Sequence, residues 1–410
     1  MRDGDLAPGD QLPPVRSLAA RLGVSPATVA AGYGELRRRG LVTGAGRAGT
    51  RVSPAPPVST RGYLSAPGGT RDLITGAPDP DLLPVMPVRP AARARLYPET
   101  PVAPRLRAVA ARRLTADGVD ASHLAVTGGA LDAIERVLAG WLMPGDRVAV
   151  EDPGHAVTFD LLAAMGLRLV PVPVDDFGMR PDALARELDT RLSAVIFTPR
   201  AQAATGAAWD ARRAADLADV LRQHPTVGVI EDDHAGPVAG VAAHTTSGQL
   251  ARWVHIRSVS KSLGPDLRLA VLAGDEATIS HVAGRQALGT GWVSFQLQET
   301  VAELWSDPAT VEHAARVYAA RGRALRGALA AREIPATGRS GLTCWMPVPD
   351  EDRIASAMAS AGWAVAPGRR FRIAAAPGVR VSFATLEPAD AERFAADFAR
   401  ARHARTTRQD

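Results

Sequence analysis

Apolar side chains near the start of the chain recur with the spacing of a helix. They fall on one face of Val15–Leu22, and Gly23 follows as a C-cap. Ser25 and Pro26 then form a helix start, because the hydroxyl can cap free N–H groups and proline fits the first helical position. The pattern therefore predicts two helices separated by a three-residue turn, the second ending near Gly40.

Two short apolar segments follow these helices. Residues 41–42 and 50–52 flank a turn that contains Gly44, Gly46 and Gly49, which predicts a β-hairpin. Helix, short turn, helix and hairpin is the order of a winged helix-turn-helix module, whose second helix enters the major groove. A purely structural helical hairpin is the alternative explanation of the two helices alone.

The next segment, residues 53–70, is rich in Pro, Ser and Gly and predicts a linker. Beyond it, short apolar strands alternate with helical patterns, which indicates a mainly parallel sheet in an α/β domain. A helix at 131–141 follows the first of these strands. Strands are predicted at 124–127, 147–150, 167–172, 194–197, 228–230, 253–259 and 269–273.

From about residue 300 the pattern changes to helices with shorter strands at 341–346 and 379–383, an α+β arrangement. We therefore expect four parts. They are a winged helix-turn-helix at 1–52, a linker at 53–70, a large domain at 71–300 and a small α+β domain at 301–410.

The composition is that of an ordinary globular protein, with 46% apolar and 22% charged residues. No run of about 20 uncharged apolar residues occurs, so we expect no membrane span. The N-terminal residues lack the apolar core of a signal peptide. Cys344 is the only cysteine and cannot form an internal disulfide, which favours a reducing, cytoplasmic location.

Basic charge is concentrated in the first part of the chain. Residues 1–52 contain eight arginines and four acidic residues, a net charge of +4, whereas the whole chain carries +5. A small basic unit on a nearly neutral body suits double-stranded DNA, because affinity for DNA comes largely from neutralising phosphates. A solvated basic face explains the charge equally well when the charge is taken alone.

Lys261 is the only lysine among the 48 basic residues. Codon bias explains the excess of arginine, and that bias makes the remaining lysine informative. A guanidinium replaces an ammonium as a surface charge, but it stays protonated and cannot form an imine. Lys261 is therefore a candidate for amine chemistry.

Groups suited to a cofactor with an aldehyde and a phosphate surround this lysine in the sequence. Ser258 and Ser260 precede it, and Arg268 comes shortly after it. Asp232 follows an earlier strand, where a carboxylate would keep a pyridine nitrogen protonated. The Ser-x-Ser-Lys pattern alone is typical of an ordinary polar loop, but the order of all these parts favours a cofactor site.

The phosphate would be bound by hydroxyl, guanidinium and backbone groups. Ser258, Ser260 and Arg268 supply side chains, and the backbone N–H groups of Gly129 and Ala130 open a predicted helix toward it. The pattern predicts no metal site.

The N-terminal segment carries a dense series of motifs. They are Leu6-Ala7-Pro8-Gly9-Asp10-Gln11-Leu12-Pro13, Arg16-Ser17-Leu18-Ala19, Gly23-Val24-Ser25, Thr28-Val29 and Gly40-Leu41-Val42, followed by the glycine-rich turn. This segment resembles the winged-helix domain of the GntR family.

Two departures from that family pattern affect the DNA contacts. The family's opening helix should precede Asp3, so we expect either a start that lies further upstream or an under-packed module. Pro26 and Ala27 stand where the family usually has Arg and Asn, which removes one phosphate contact. The remaining candidates for DNA contact are Arg16, Ser25, Thr28, Tyr33, Arg37 and Arg47.

Residues 71–405 carry a second series of motifs. They are Val126-Thr127-Gly128-Gly129-Ala130, Pro144-Gly145-Asp146-Arg147-Val148, Glu151-Asp152-Pro153-Gly154, Thr198-Pro199, Thr205-Gly206, Glu231-Asp232-Asp233, Ser260-Lys261-Ser262-Leu263-Gly264-Pro265 with Arg268, Ala366-Pro367-Gly368 and Gly378-Val379-Arg380-Val381-Ser382-Phe383. They resemble the fold-type-I aminotransferases, and the whole chain is similar to the MocR-type regulators of the GntR family.

This resemblance implies a fold and a cofactor. The fold is α/β, a mainly parallel seven-stranded sheet with a smaller α+β domain, and the cofactor is pyridoxal 5'-phosphate (PLP). Lys261 would be the Schiff-base residue, Asp232 would contact the pyridine nitrogen, and Ser258 and Arg268 would bind the phosphate. Arg380 would clamp an amino-acid carboxylate, a task that suits a planar guanidinium. The alternative for Arg380 is an exposed strand residue.

The departures from the aminotransferase pattern lie in the site itself. His155 replaces the aromatic residue that stacks on the cofactor ring, and His234 replaces the tyrosine that hydrogen-bonds its phenolic oxygen. Ala201 and Ala203 supply neither a ring nor a hydrogen bond. The histidines are either partial replacements or drift in a site without turnover. We expect no efficient transamination, since loss of one positioned donor costs about 10²–10³ in rate.

These observations favour a DNA-binding transcriptional regulator that holds PLP through Lys261 and senses an amine, an amino acid or PLP itself. The resemblance further implies a head-to-tail homodimer acting on operator DNA. A working aminotransferase with a vestigial N-terminal module is one alternative, and a regulator whose large domain holds no cofactor is another.

Overall fold

The computed structural model describes residues 9–38, 42–44, 49–52, 66–86, 96–97 and 100–403. Helix α1 (Val15–Leu22) ends at Gly23, whose φ of 67° is left-handed, as the sequence predicts for a glycine C-cap. Helix α2 (Pro26–Arg38) begins after Ser25, whose Oγ accepts a hydrogen bond of 3.1 Å from the Thr28 N–H. Both predicted helices are therefore confirmed, although the predicted end of α2 near residue 39 lies outside the described residues.

The predicted hairpin is also present. Strand β1 (Val42–Thr43) pairs antiparallel with β2 (Arg51–Val52), with Val42 opposite Val52. The strands and both helices enclose a small apolar core, which makes this a packed module despite its size. The buried members of that core are Leu12, Ala19, Val29, Tyr33, Val42 and Val52. Most of the predicted linker, residues 53–65, lies outside the described residues.

A mainly parallel sheet forms the centre of the larger part. Its strands are β4 (Leu124–Thr127), β5 (Arg147–Asp152), β6 (Arg168–Asp175), β7 (Gly178–Met179), β8 (Ala194–Phe197), β9 (Gly228–Asp233), β10 (Trp253–Ser258) and β11 (Ala270–Gly274). They follow the order β4-β11-β10-β9-β8-β5-β6-β7. The pairs from β10 through β6 are parallel, while β4, β11 and β7 pair antiparallel with their neighbours.

The sequence predicted seven strands, and the described residues contain eight because the two-residue β7 adds an edge to β6. Helices cover both faces, so successive residues of one strand enter different cores: Val229 packs on one side and Ile230 on the other. The helices of this part are α3 (Pro104–Ala116), α4 (Ala130–Trp141), α5 (Ala156–Ala164), α6 (Pro181–Leu188), α7 (Ala211–Arg222), α8 (Glu276–Ala287) and α9 (Phe295–Ser306).

A second sheet of four strands forms the smaller part, in the order β12-β14-β13-β3. Its strands are β3 (Arg71–Leu73), β12 (Thr343–Pro347), β13 (Trp363–Pro367) and β14 (Gly378–Ser382), and it packs with α10 (Ala309–Ala330), α11 (Glu351–Ser360) and α12 (Ala391–His403). The buried ring of Trp363 packs edge-on against Phe394, and its N–H donates to Asp397 over 2.8 Å.

Strand β3 corrects the predicted start of the large domain at residue 71. Arg71 pairs with Trp363 and Leu73 with Val365 in a parallel ladder, so residues 71–73 belong to the sheet of the smaller part. Local pattern could not show this, because a three-residue strand carries no sign of its distant partner. No helix within the described ranges is long and apolar enough to cross a membrane.

Candidate functional site

The carboxyl ends of neighbouring strands bring the candidate residues to one edge of the large sheet. Asp232 lies near the end of β9, Ser258 ends β10, and α4 begins at Ala130 just after β4. Parallel strands end at the same edge, so these groups converge in a cleft of about 270 Å³. The predicted residues that line it are Ala130, His155, Asp232, His234, Ser258, Ser260, Lys261, Arg268 and Arg380.

Lys261 reaches across this cleft to a segment from the smaller part. Its Nζ donates a hydrogen bond of 2.6 Å to the carbonyl oxygen of Gly76. Burial lowers the pKa of Lys261 from 10.5 to about 8, and the positive charge of Arg380 contributes to the decrease. A substantial fraction of the amine is therefore neutral near pH 8, and the neutral amine is the nucleophilic form.

Asp232 presents a carboxylate without a hydrogen-bond donor. The residue is buried, and its Oδ1 has no hydrogen-bond partner among the residues described. Burial, together with the charge of the adjacent Asp233, raises the pKa of Asp232 to about 7. An unsatisfied buried oxygen of this kind is costly, and it suits a ligand that brings its own N–H donor.

Asp233 is fixed by a buried ion network beneath the cleft. Its carboxylate contacts Arg200 at 3.0 Å and Arg257 at 2.6 Å, and His255 Nε2 lies 3.5 Å away. Burial alone would raise the pKa of Asp233, but the two guanidinium groups hold it well below its ordinary value. Asp233 thus stays ionised, whereas its neighbour Asp232 faces the cleft.

The predicted phosphate-binding residues gather at the N-terminus of α4. Ser258 Oγ lies 3.1 Å from Ser260 Oγ, and Arg268 donates to the Gly128 carbonyl over 3.4 Å. Gly129 has a φ of 112°, and a Cβ there would stand 2.9 Å from the Arg268 guanidinium. Only glycine therefore lets this arginine approach the helix end, where backbone N–H groups favour an anion.

The two unexpected histidines both lie in the cleft in neutral form. His155 Nδ1 forms a hydrogen bond of 2.8 Å with Thr158 Oγ1, and burial lowers its pKa to about 3. Burial, with the charge of Lys261, lowers the pKa of His234 to about 4. Neutral imidazoles can stack or exchange hydrogen bonds there without adding positive charge.

Arg380 is buried in the same cleft, so its alternative interpretation as an exposed strand residue is wrong. Its guanidinium donates to the backbone carbonyls of Ile74 and Ala203 and lies 4.2 Å from the ring centroid of Phe371. Burial lowers the pKa of Arg380 to about 10. No carboxylate in the described part of the chain forms an ion pair with it, which leaves its charge available to an anionic ligand.

Ala201 and Ala203 leave open space beside this arginine. Both line a cavity of about 90 Å³, together with Gly76, Lys261 and Arg380. Their methyl groups supply no polar atom, as the sequence predicts. The cavity therefore lacks an aromatic ring and a side-chain hydrogen bond from these two positions, where they would orient a bound ligand.

The structure corrects one of the predicted DNA contacts. Tyr33 is buried in the core of the winged helix module, and its hydroxyl donates to the Pro13 carbonyl over 2.8 Å. It therefore stabilises the module and does not face DNA. An amphipathic helix pattern cannot show this, because tyrosine suits both a core and a surface.

Of the other predicted DNA contacts, some have a described exposure and some lie outside the described residues. Arg16 and Thr28 are exposed, while Ser25 is exposed and caps α2. The side chain of Arg37 and the whole of Arg47 lie outside the described residues, so their roles stay predictions.

Three residues of the cleft escaped the sequence analysis. Gly76 and Phe371 come from distant segments with no local pattern that marks them. Glu151 lies beneath the cleft, where it shares a cavity of about 20 Å³ with Asp232, and its Oε1 has no hydrogen-bond partner among the described residues. Burial raises the pKa of Glu151 to about 8. Glu151 stands in a recognised motif, but sequence alone does not show which oxygen lacks a partner.

Known families match almost the whole chain. The model described as bacterial regulatory proteins, gntR family, matches residues 1–52, and aminotransferase class I and II matches residues 88–398. The vitamin B6 salvage pathway transcriptional repressor PtsJ of Salmonella typhimurium is 40% identical, covering 96% of this chain and 94% of its own. The HTH-type transcriptional regulator TauR of Rhodobacter capsulatus is 28% identical over 90% of this chain and 86% of its own.

The chain belongs to the MocR-type regulators of the GntR family. It is thus a transcriptional regulator with an aminotransferase-like domain, and this interpretation is favoured over the catalytic aminotransferase.

Solved aminotransferases share the fold of most of this chain. LysN, the α-aminoadipate aminotransferase of Thermus thermophilus, superposes with a TM-score of 0.70 at 22% identity, covering 82% of this chain and 92% of its own. The kynurenine aminotransferase of Pyrococcus horikoshii gives 0.72 at 20% identity, covering 80% and 89%. The LysN structure contains N-(5'-phosphopyridoxyl)-L-leucine.

Proposed function

We propose that this regulator binds PLP through Lys261 and represses genes of vitamin B6 metabolism according to the supply of PLP. The observation that carries the proposal is the buried Asp232 Oδ1, which has no donor among the described residues and faces the cleft that holds Lys261. The resemblance to PtsJ, a repressor of vitamin B6 salvage by name, supports the choice of target genes.

The residues present fit this cofactor. Asp232 can accept a hydrogen bond from a pyridine N–H, and in doing so it would satisfy its free oxygen. Ser258, Ser260 and Arg268 can hold a phosphate against the N-terminus of α4. When bound, PLP supplies an aldehyde that a primary amine can attack and a ring that withdraws electrons.

The protein side chains bind and orient more than they catalyse. The depressed pKa of Lys261 provides a neutral amine, and the carbonyl of Gly76 holds that amine in the cleft. Ala201 and Ala203 leave the ligand side of the cavity without oriented donors. This combination suits retention of a ligand rather than fast turnover.

Arg380 supports a second candidate ligand, an amino acid. A buried guanidinium that forms no ion pair with a carboxylate within the described ranges suits the carboxylate of such a ligand, which a planar fork can bind through two hydrogen bonds. Arg380→Gln should then abolish any response of DNA binding to amino acids. Retardation of an operator fragment by the PLP-loaded chain, with and without each member of an amino-acid panel, measures this response.

DNA binding is assigned to the winged helix module, which the structure packs around its own core. We place the regulator on an operator as a homodimer, since winged helices commonly recognise paired half-sites. Exposed apolar side chains such as Tyr97 and Leu288, about nine-tenths accessible, suit burial between two copies.

Two measurements on the full chain test the proposal. Wild type should gain a visible absorbance band on addition of PLP and should retard a fragment from its own upstream region to a PLP-dependent extent. Lys261→Ala should lose the band and the dependence on PLP, while Arg316→Gln, an exposed change on α10, should leave both unchanged.

An unchanged band in Lys261→Ala would overturn the assignment of the lysine. Steady transamination by wild type, with no retardation of the fragment at moderate salt, would overturn the regulatory role.

A further inference from the structure

A second pocket lies outside the Lys261 cleft and shares no lining residue with it. Its volume is about 210 Å³. One wall is α10, and the others are the turn after β9 and the segment before β12. The residues that line it include Gly240, Gly322, Arg323, Arg326, Arg339 and Phe383.

Three of these residues are arginines without a carboxylate partner in the described part of the chain. Arg323 and Arg326 lie three residues apart on α10, and Arg339 follows in the loop after that helix. Within the described residues no ion pair involves any of the three. The contrast on the same helix is clear, because Arg321 pairs with Asp79 at 2.7 Å and with Glu387.

The local surroundings compensate these charges only in part. The Arg339 guanidinium lies 4.1 Å from the ring centroid of Phe177, a cation–π contact that leaves its hydrogen-bond donors free. Asp176 is the nearby acidic group, and its charge favours the protonated form of Arg326 without forming an ion pair. Burial lowers the pKa of Arg326, and the charge of Arg323 lowers it as well.

Glycine keeps space for this cluster. A Cβ on Gly322 would stand 2.9 Å from both Arg326 Nη1 and the Phe383 ring, so any larger residue would displace the guanidinium. Gly240 and Gly341 adopt left-handed φ values of 72° and 75° where they form the opposite wall. The pocket is therefore built around the position of Arg326.

We propose that this pocket is a second ligand site, which binds the dianionic phosphate of a small phosphate monoester through Arg323, Arg326 and Arg339. Guanidinium groups bind phosphate oxygens in pairs of hydrogen bonds, and two negative charges match three guanidinium groups better than one carboxylate does. The enclosed volume accepts a small molecule and is too small for a nucleic-acid backbone.

The ligand would contact both the larger part and the smaller part of the aminotransferase-like domain. Arg323 and Arg326 belong to the helix of the smaller part, while Ala239 and Gly240 follow a strand of the large sheet. A ligand that bridges them binds one arrangement of the two parts more tightly than another, and this differential affinity is what shifts a conformational equilibrium.

The test uses the full chain with the first site filled. The protein is loaded with PLP, reduced with borohydride and dialysed, and pyridoxamine 5'-phosphate and inorganic phosphate are each titrated by calorimetry. We expect one equivalent of the monoester to bind. Arg326→Gln should weaken its Kd about tenfold and the double variant Arg323→Gln/Arg326→Gln about 100-fold.

Arg316→Gln provides the matched control, because it removes the same charge from an exposed position of the same helix. Its Kd should equal that of wild type. Equal binding of inorganic phosphate and of the monoester would identify free phosphate as the ligand. The proposal is overturned if wild type shows no binding, or if Arg316→Gln weakens binding as much as Arg326→Gln does.

Thermal unfolding of each variant shows that the fold is intact, and Arg339→Gln gives an independent change in a loop rather than a helix. The outcome is separable from the function proposed for Lys261, because that function is read from the absorbance band before reduction.

Discussion

The amine of Lys261 donates a hydrogen bond to the carbonyl oxygen of Gly76, and the guanidinium of Arg380 borders the same glycine. A Cβ on Gly76 would stand 3.5 Å from Arg380 Nη2, and the residue has a left-handed φ of 62°. One short segment thus contacts two cationic groups of the cleft, Lys261 and Arg380.

The first prediction concerns the pH dependence of PLP uptake. Only the neutral amine of Lys261 attacks an aldehyde, so the rate should rise with pH through about 8, where its pKa lies. Stopped-flow absorbance between pH 6.5 and 9.5 measures this rate. A rate that still rises tenfold per pH unit at pH 9.5, as for the ordinary lysine pKa of 10.5, would contradict the buried, Arg380-adjacent position of the amine.

Asp232→Asn should weaken the affinity for PLP. The amide keeps the shape of the side chain but carries no charge, so a hydrogen bond with a protonated pyridine nitrogen loses its charge assistance. A loss of about 10- to 100-fold in Kd follows from the usual strength of such bonds. Absorbance titration gives the Kd, and Asp219→Asn on the exposed face of α7 should leave it unchanged.

Asp233→Asn should destabilise the fold, because it leaves the buried Arg200 and Arg257 with the partly exposed Asp117 as their remaining carboxylate partner. Breaking a buried ion network costs about 3–5 kcal/mol. The free energy of unfolding in urea measures the effect. Asp182→Asn removes only exposed ion pairs with Arg180 and Arg186 and should produce no measurable change.

The same carboxylate predicts an acid limit to stability. Since the pKa of Asp233 is depressed in the folded state, its contribution is complete above the unfolded value of about 3.9. It is lost as the pH falls below that value toward the folded pKa. Asp233→Asn should therefore show a flatter loss of stability below about pH 4 than wild type.

Tyr33→Phe and Arg16→Ala should separate packing from DNA contact. Tyr33→Phe removes a hydrogen bond to Pro13 and should cost the winged helix module about 1 kcal/mol while leaving the salt dependence of DNA binding unchanged. Arg16→Ala should weaken binding and lower the slope of log K against log salt by about 1 if Arg16 contacts a phosphate. Urea unfolding measures the stability of Tyr33→Phe, and fluorescence anisotropy at several salt concentrations measures the DNA binding of both variants. A reduced slope in Tyr33→Phe would contradict its buried position.

Local pattern predicts best the elements whose apolar residues match their burial, either a strand buried on both faces or a helix buried on one face. The strand Leu124–Thr127 was predicted with its observed bounds because all four of its residues are buried, and α1 because its face and its glycine cap agree. Strand β3 was not predicted, and its residues were placed in the large domain, since three residues contain no information about a partner some 290 positions away.

The residues of the candidate site also fall into two groups, those that a sequence motif reveals and those that it does not. Lys261, Asp232 and Arg268 carry functional groups that motifs make visible, and the structure brings them into one cleft. Gly76 contributes a backbone carbonyl and Phe371 an aromatic face, and neither contribution depends on a sequence motif. Their roles exist only once distant segments are folded together.

Strand β3 and the segment that follows it stand directly after the predicted linker to the winged helix module. A compound that binds the amine of Lys261, as we propose for PLP, would break its hydrogen bond to Gly76, three residues beyond that strand. A change at Gly76 would therefore lie only a few residues from the predicted linker to the winged helix module.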